Sequence, residues 1–284
     1  MGQGEAAIRV RGLTKAYGQT PAVDGVDLDV WHGETFALLG PNGAGKTTTT
    51  EILEGYRRRD AGEVSVLGHD PQVADRHWRS RIGIVMQESS DIYELTVDEI
   101  LRHFAGYFPN PRPVGEVVEL TGLTEKRRSR TSSLSGGQRR RLDVALGIVG
   151  NPEVLFLDEP TTGFDPEARR QFWELIRSLR TSGTTILLTT HYLEEAEQLA
   201  DRAGVIDHGR VVAVDVPSQL GGRGSAAATV GWTDPVDGPQ STETHTPTAL
   251  VAELAARYDG EVPGLTVSRP TLEDVYLRLI GGDA

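Results

Sequence analysis

The sequence predicts an α/β protein built on a parallel sheet, and three observations carry that prediction. First, the apolar run Thr35-Phe36-Ala37-Leu38-Leu39 leads into Gly40-Pro41-Asn42-Gly43-Ala44-Gly45-Lys46-Thr47-Thr48, and Thr47 to Glu54 then continues without a helix breaker. Strand, glycine-rich turn and helix in that order form the context in which the pattern G-x-x-x-x-G-K-[ST] binds phosphate. Second, the short runs Val154-Leu155-Phe156-Leu157 and Thr185-Ile186-Leu187-Leu188-Thr189 flank a helical stretch from about Pro166 to Ser182. Strand, helix and strand in sequence place parallel neighbours with a right-handed crossover. Third, 284 residues with 38% hydrophobic and 25% charged side chains describe a globular chain able to bury a core. That length suits one large domain, or one domain with a smaller appendage.

The glycine-rich turn has a definite chemistry. Its glycines let the backbone bend so that successive N–H groups point at an anion, and the helix that follows adds its positive dipole end. Lys46 supplies a point charge for the β- and γ-phosphates of a nucleotide, and the Thr47 hydroxyl is a ligand for Mg²⁺.

Composition excludes other classes. With no cysteine the chain has neither disulfides nor thiolate metal sites, which fits a reducing cytoplasm. A net charge of −12 opposes nucleic-acid binding, which needs a basic footprint. Met1-Gly2-Gln3-Gly4-Glu5 lacks the basic start and apolar stretch of a signal peptide. No run approaches the ~18 apolar residues of a spanning helix, so a membrane role requires another chain to cross the bilayer.

Taken in order, Ile8-Arg9-Val10 and Val26-Asp27-Leu28-Asp29-Val30 alternate as half-buried strands do. Between them Tyr17, beside Gly18, either stacks on an adenine ring or packs on the sheet, and position alone leaves both open. Asp60-Ala61-Gly62-Glu63 turns into the strand Val64–Gly68, and Ile82-Gly83-Ile84-Val85-Met86 is a buried strand ending at Gln87. From about Glu88 to Ser133 the sheet pattern stops. Val97–Phe108 and Val114–Leu123 have helical spacing, separated by the cluster Pro109 to Pro113.

Ser135 with Gln138 three residues later fits a capping box that opens a long helix, which Gly150-Asn151-Pro152 ends. Arg202 to Asp215 reads as a hairpin turning at Asp207-His208-Gly209-Arg210. Composition shifts after Val216. Gly221-Gly222-Arg223-Gly224-Ser225 reads as a flexible joint, and Thr233 to Thr248 as an irregular, poorly ordered loop. Two amphipathic helices follow, one through Leu250, Val251, Leu254 and Tyr258, the other through Leu272, Val275, Tyr276, Leu279 and Ile280. Thr271 caps the second and Gly281 stops it.

Tyr17, the Gly40–Thr48 turn, Gln87, Leu134-Ser135-Gly136-Gly137-Gln138, the strand ending Asp158-Glu159, and His191 stand in one order. Together they resemble the nucleotide-binding subunits of ABC transporters, over residues 8 to about 215. The motif Leu-Ser-Gly-Gly-Gln is the most specific part, because other P-loop ATPases lack it. The resemblance implies a P-loop NTPase of ABC type: a RecA-like parallel core, an N-terminal antiparallel β subdomain and a helical subdomain at about 88–150. The ATP-binding cassette would span 6–218, with a small accessory domain at 219–284 that holds the loop at about 233–248 and packs on the main body.

The same resemblance implies roles for residues. ATP would lie between Gly40, Pro41, Asn42, Gly43, Ala44, Gly45, Lys46, Thr47 and Thr48 of one copy and Ser135, Gly136, Gly137 and Gln138 of a second. Asp158 would hold Mg²⁺, usually through water. Glu159 would be the general base toward the attacking water. His191 would contact the γ-phosphate and position that water. Gln87 would sense both Mg²⁺ and the γ-phosphate and couple them to the neighbouring helical insertion. Lys46 would neutralise developing phosphate charge. Asp165 lies in Gly163-Phe164-Asp165-Pro166, which resembles the family's D-loop, although Phe164 stands where leucine is usual. That departure touches packing across the dimer more than chemistry.

Arg141-Leu142-Asp143-Val144-Ala145 and Pro270-Thr271-Leu272-Glu273-Asp274-Val275-Tyr276-Leu277 look like the daunorubicin-resistance type of exporter ATPase, with Tyr276 where phenylalanine is common. The expected function is ATP hydrolysis that powers efflux of a drug, antibiotic or lipid-like molecule. Its partners would be a separate ABC-2-type integral membrane permease and a second copy of the chain, and its place the cytoplasmic face of the cell membrane. Tyr93 and its neighbours are expected contacts for the permease. An importer ATPase is the alternative, and a soluble ABC ATPase of DNA repair or translation a more distant one.

Overall fold

The computed structural model describes residues 5–86 and 94–281. The chain divides into two compact units, residues 1–212 and 213–284.

The first unit begins with β1 (Ala6–Tyr17), β2 (Thr20–Trp31), β3 (Thr35–Leu39), α1 (Lys46–Leu53) and β4 (Ala61–Val66). Next come α2 (Arg76–Arg79), β5 (Ile82–Val85), α3 (Val97–Ala105), α4 (Val114–Leu120) and α5 (Gly136–Ile148). The remainder is β6 (Val154–Asp158), α6 (Pro166–Thr181), β7 (Thr185–Thr190), α7 (Leu193–Leu199), β8 (Arg202–Asp207) and β9 (Arg210–Asp215), with the division between the units falling inside β9.

Strands β2, β1 and β4 form an antiparallel sheet in that order. β1 buries Ile8 and Val10 while exposing Arg9 and Arg11, the alternation of a sheet with one covered face. The second sheet has the order β5-β6-β7-β3-β8-β9, and the pairs β5/β6, β6/β7, β7/β3 and β3/β8 are parallel. All of β3 and β7, and all but the last residue of β6, are buried. Their continuous apolar runs match strands covered on both faces.

The order matters more than the strands themselves. β3 lies between β7 and β8, so the segments leaving β6, β7 and β3 emerge side by side, ~4.7–4.9 Å from strand to strand. Ligands of open parallel sheets bind at such carboxyl ends.

Helices α3, α4 and α5 pack on one another, and each start has a local reason. Thr96 and Glu99 close a capping box on α3, and Ser135 and Gln138 close another on α5. α4 starts directly after Pro113.

The second unit corrects two expectations. Thr233 to Thr248 is not an irregular loop. β10 (Ala228–Asp234) and β11 (Gly238–Thr244) pair antiparallel from Ala228↔Thr244 to Asp234↔Gly238, and α8 (Pro247–Arg257) follows at once. The threonines that read as loop are β-prone residues on a pleated surface, and Asp234 closes the turn by accepting from the N–H groups of Val236 (2.9 Å) and Asp237 (3.1 Å). β12 (Thr266–Ser268) pairs with β10, and α9 (Leu272–Ile280) ends the described chain, capped by Thr271 and Asp274. Val230, Leu254 and Val262 form the core under the hairpin. Gly221 is the other correction. Read as part of a flexible joint, it instead has a left-handed backbone (φ of 57°) packed so closely that a Cβ would lie 2.5 Å from Val275.

Candidate nucleotide site

The turn after β3 has the backbone a phosphate cradle needs. Gly43 and Gly45 adopt φ of 81° and 105°, the left-handed region that favours glycine. At Gly45 a Cβ would also stand 2.3 Å from the Ala22 carbonyl oxygen, so conformation and space both demand glycine there. Gly40 is as restricted by space alone, since a Cβ would meet the Ile206 carbonyl oxygen at 2.3 Å. Pro41 and Thr48 are half-buried, Asn42, Gly43 and Thr47 are exposed, and Ala44 and Gly45 are buried.

Lys46 begins α1 and is buried. Its ammonium donates to the carbonyl oxygens of Gly40 (2.7 Å) and Pro41 (3.1 Å), holding the charge inside the turn. Burial pulls its pKa down, and the negative charges of Glu159 and Asp158 oppose that. The cation therefore shares one electrostatic site with both acids.

Asp158 ends β6, and its carboxylate accepts a hydrogen bond from the Thr189 hydroxyl of β7. Glu159 comes next with φ of 44°, a left-handed backbone that is uncommon for a residue with a Cβ. Its N–H donates to the Thr189 carbonyl at 3.1 Å, and its carboxylate Oε1 lies 3.3 Å from Nδ1 of His191. His191 follows β7 and stacks at a 40° tilt on Tyr192, ring centroids 4.0 Å apart. At the far end of α1, burial and the charges of Asp158 and Glu51 push the Glu54 carboxyl up to about 7.

The Ser135 side chain accepts from Gln138 N–H at 3.3 Å, and Gln138 Oε1 accepts from Ser135 N–H at 3.1 Å. Ser135 and Gly136 are exposed, Gly137 and Gln138 half-buried, and Cβ positions on both glycines face open space. This helix start presents backbone donors outward. Asp165 caps α6, accepting from the N–H groups of Glu167 (3.0 Å) and Ala168 (2.8 Å). Phe164 turns inward and meets Phe172 edge-on, ring centroids 5.9 Å apart, so its ring packs within the chain. Tyr17 is exposed at the end of β1, with the Arg57 guanidinium 5.3 Å over its ring. Gln87 and Tyr93 lie outside the described residues.

Four residues at this site escaped the sequence reading. Thr189 bonds Asp158 and, through its carbonyl, Glu159. Thr161, two residues past Glu159, donates to the buried carboxylate of Glu195 on α7. Arg140 is buried among backbone carbonyls. The only signal for Thr189 was a threonine ending an apolar strand. Arg140 stands one helical repeat before the buried Val144, a position its charge disguises.

A protein-family model described as ABC transporter matches residues 23–162. The chain is 46% identical over 219 residues to the daunorubicin/doxorubicin resistance ATP-binding protein DrrA of Streptomyces peucetius, a match that covers 75% of this chain and 66% of the relative. It is 40% identical to the Nod factor export ATP-binding protein I of Burkholderia orbicola (strain AU 1054) over 97% of both chains. The chain belongs to the ATP-binding proteins of ABC transporters. A solved ATP-binding subunit of an ABC transporter, 22% identical, superposes with a TM-score of 0.72 over 96% of this chain and 99% of that one, which shows the same fold. The protein is thus an ABC transporter ATPase, and ATP is the nucleotide its cradle serves. Among the described residues no helix is long and apolar enough to cross a membrane.

The donors present fit Mg²⁺. An exposed hydroxyl, Thr47, and a carboxylate oriented by Thr189, Asp158, are hard oxygen ligands. Mg²⁺ commonly takes one or two carboxylates and completes its shell with water and nucleotide phosphates.

Proposed function

We propose that the chain is the ATP-hydrolysing motor of an exporter and works at the cytoplasmic face of the cell membrane with a separate ABC-2-type permease. What carries the chemical part is the meeting of Lys46, Asp158, Glu159 and His191 at the carboxyl ends of β3, β6 and β7. Export rather than import follows from the roles in the relatives' names, drug resistance and Nod factor export. The cargo is then a drug, antibiotic or lipid-like molecule.

The turn from Gly40 to Thr48 binds the phosphates by backbone N–H groups, and Lys46 neutralises the β- and γ-oxygens. Thr47 and Asp158 would hold Mg²⁺, which when bound would supply positive charge toward the nucleotide phosphates. Glu159 polarises the attacking water as general base, and His191, with Nδ1 3.3 Å from the Glu159 carboxylate, fixes the direction of that water. Gln87 senses the γ-phosphate and metal. Tyr17 supplies an exposed ring for the adenine.

The exposed helix start, with the N–H groups of Gly136 and Gly137 and the Ser135 hydroxyl, completes the site of a second copy in a head-to-tail dimer, with Gln138 holding the cap and Asp165 lying at the dimer contact. The unit at 213–284 is an accessory domain with its own core.

A tagged pull-down from detergent-solubilised membranes of the native host tests the assembly. Stoichiometric recovery of a polytopic membrane protein is the expected result. Recovery from the soluble fraction alone, without such a protein, overturns the transporter reading.

A further inference from the structure

Arg140 is the second of three consecutive arginines on α5. It alone of the three is buried, at 8% exposure. A guanidinium carries five donors in a rigid planar fork and no acceptor, so burying it requires several acceptors at set angles. Here they are backbone carbonyls. Nε donates to Pro160 (2.9 Å), Nη2 donates to Asp158 (2.8 Å) and Glu159 (3.3 Å), and Nη1 donates to Met86. The Asp143 carboxylate, one turn along α5, stands 4.0 Å from Nη1.

Three of those carbonyls belong to consecutive residues, and the middle one is Glu159. A left-handed backbone at such a residue is strained and persists only when its surroundings over-determine it. Thr189 holds Glu159 by its N–H, and Arg140 holds it by its carbonyl. With these carbonyls gathered on the arginine, the Glu159 carboxylate reaches His191. The fourth carbonyl, Met86, follows β5 and precedes Gln87. Ser135, the first cap of α5, lies within two turns of Arg140 on the same helix.

We infer that Arg140 is a positioning residue that ties the helix beginning at Ser135 to the backbone turn of Glu159, so that the carboxylate is aimed only while α5 is seated. The inference rests on Glu159 being the general base. Buried and spent on backbone carbonyls, Arg140 acts through the turn. Lysine cannot replace it, since one ammonium cannot span carbonyls arranged for a fork.

The test is steady-state hydrolysis of ATP with Mg²⁺ by the full chain, comparing wild type, Arg140→Lys, Arg140→Gln, Glu159→Gln and the double variant Arg140→Lys/Glu159→Gln. Both Arg140 variants are expected to lose kcat on the order of 10²-fold, the scale of a misplaced catalytic group, while KM for ATP stays within about twofold. On the Glu159→Gln background Arg140→Lys should cost little more, because residues acting as a unit are non-additive.

Wild-type kcat in Arg140→Lys, a KM that rises as kcat falls, or a loss that multiplies in full onto Glu159→Gln overturns the inference and leaves the role of Glu159 standing. Unfolding of both Arg140 variants, seen as lost ATP binding and a collapsed melting transition, makes the arginine a packing residue and overturns it too. Near-normal turnover in Glu159→Gln removes the general base and the inference with it.

Discussion

The carboxylate of Glu159 lies 3.3 Å from Nδ1 of His191, the acid side chain 13% exposed and the histidine 41%. The pair joins the turn after β6 to the one after β7, placing a sheltered carboxylate beside a more exposed ring. Replacing Glu159 by Gln keeps the shape and removes the proposed base. Turnover should fall about 10²- to 10⁴-fold, the range of general-base contributions, while ATP binding persists and an ATP-trapped dimer accumulates. Single-turnover hydrolysis with size-exclusion chromatography reads both.

Lys46 makes a different demand. Its ammonium is buried against the Gly40 and Pro41 carbonyls and shares its field with Asp158 and Glu159. Lys46→Ala removes the cation and leaves those carbonyls and acids facing an anionic ligand. The affinity for ATP should drop by about 1.5–3 kcal/mol, the worth of hydrogen bonds to a charged group. Equilibrium binding of ATP measures it, and unchanged affinity would argue that backbone N–H groups alone hold the phosphates.

Gly45→Ala tests the cradle without touching a charge. Its φ of 105° and the 2.3 Å approach to Ala22 O leave no room for a Cβ. The substitution should lower stability by about 1–3 kcal/mol through backbone strain and weaken ATP binding. Thermal melting with and without ATP separates the effects.

Asp234 sets an acid limit on the second unit. Tyr258 donates to its carboxylate at 2.6 Å, two backbone N–H groups add to this, and Arg257 stands at 3.3 Å. Together they pull its pKa from the ordinary 3.8 to about 2. The unfolded carboxyl therefore takes up its proton before the folded one, and the stabilisation present above about pH 4 is lost as the pH falls toward about 2. Asp234→Asn should flatten that part of the acid melting curve. An unaltered curve would show that the carboxylate does not hold the hairpin turn.

Much of the site was legible because its patterns are short. The Gly40–Thr48 turn, the apolar strands before Gly40 and Asp158, and the Ser135/Gln138 cap each arise among residues a few positions apart, where backbone geometry and hydrogen-bond reach set the pattern. The misread stretches were those in which residue type is ambiguous. Threonine serves loop and strand alike, and only pairing of Ala228–Asp234 with Gly238–Thr244, over Val230 and Leu254, made that segment a hairpin.

The chain's own order of residues carried the list of candidate reacting groups: a lysine and a threonine after one strand, two acids after another, a histidine after a third. Tertiary structure decided that these strands are neighbours, through Leu39↔Thr190 and Asp158↔Thr189. It also decided that Glu159 adopts φ of 44° and that Arg140 goes inside. Local patterns cannot carry such facts, because the acceptors that make a buried guanidinium tolerable, and the contacts that hold a strained turn, come from segments far apart in sequence and exist only once the sheet has closed around them.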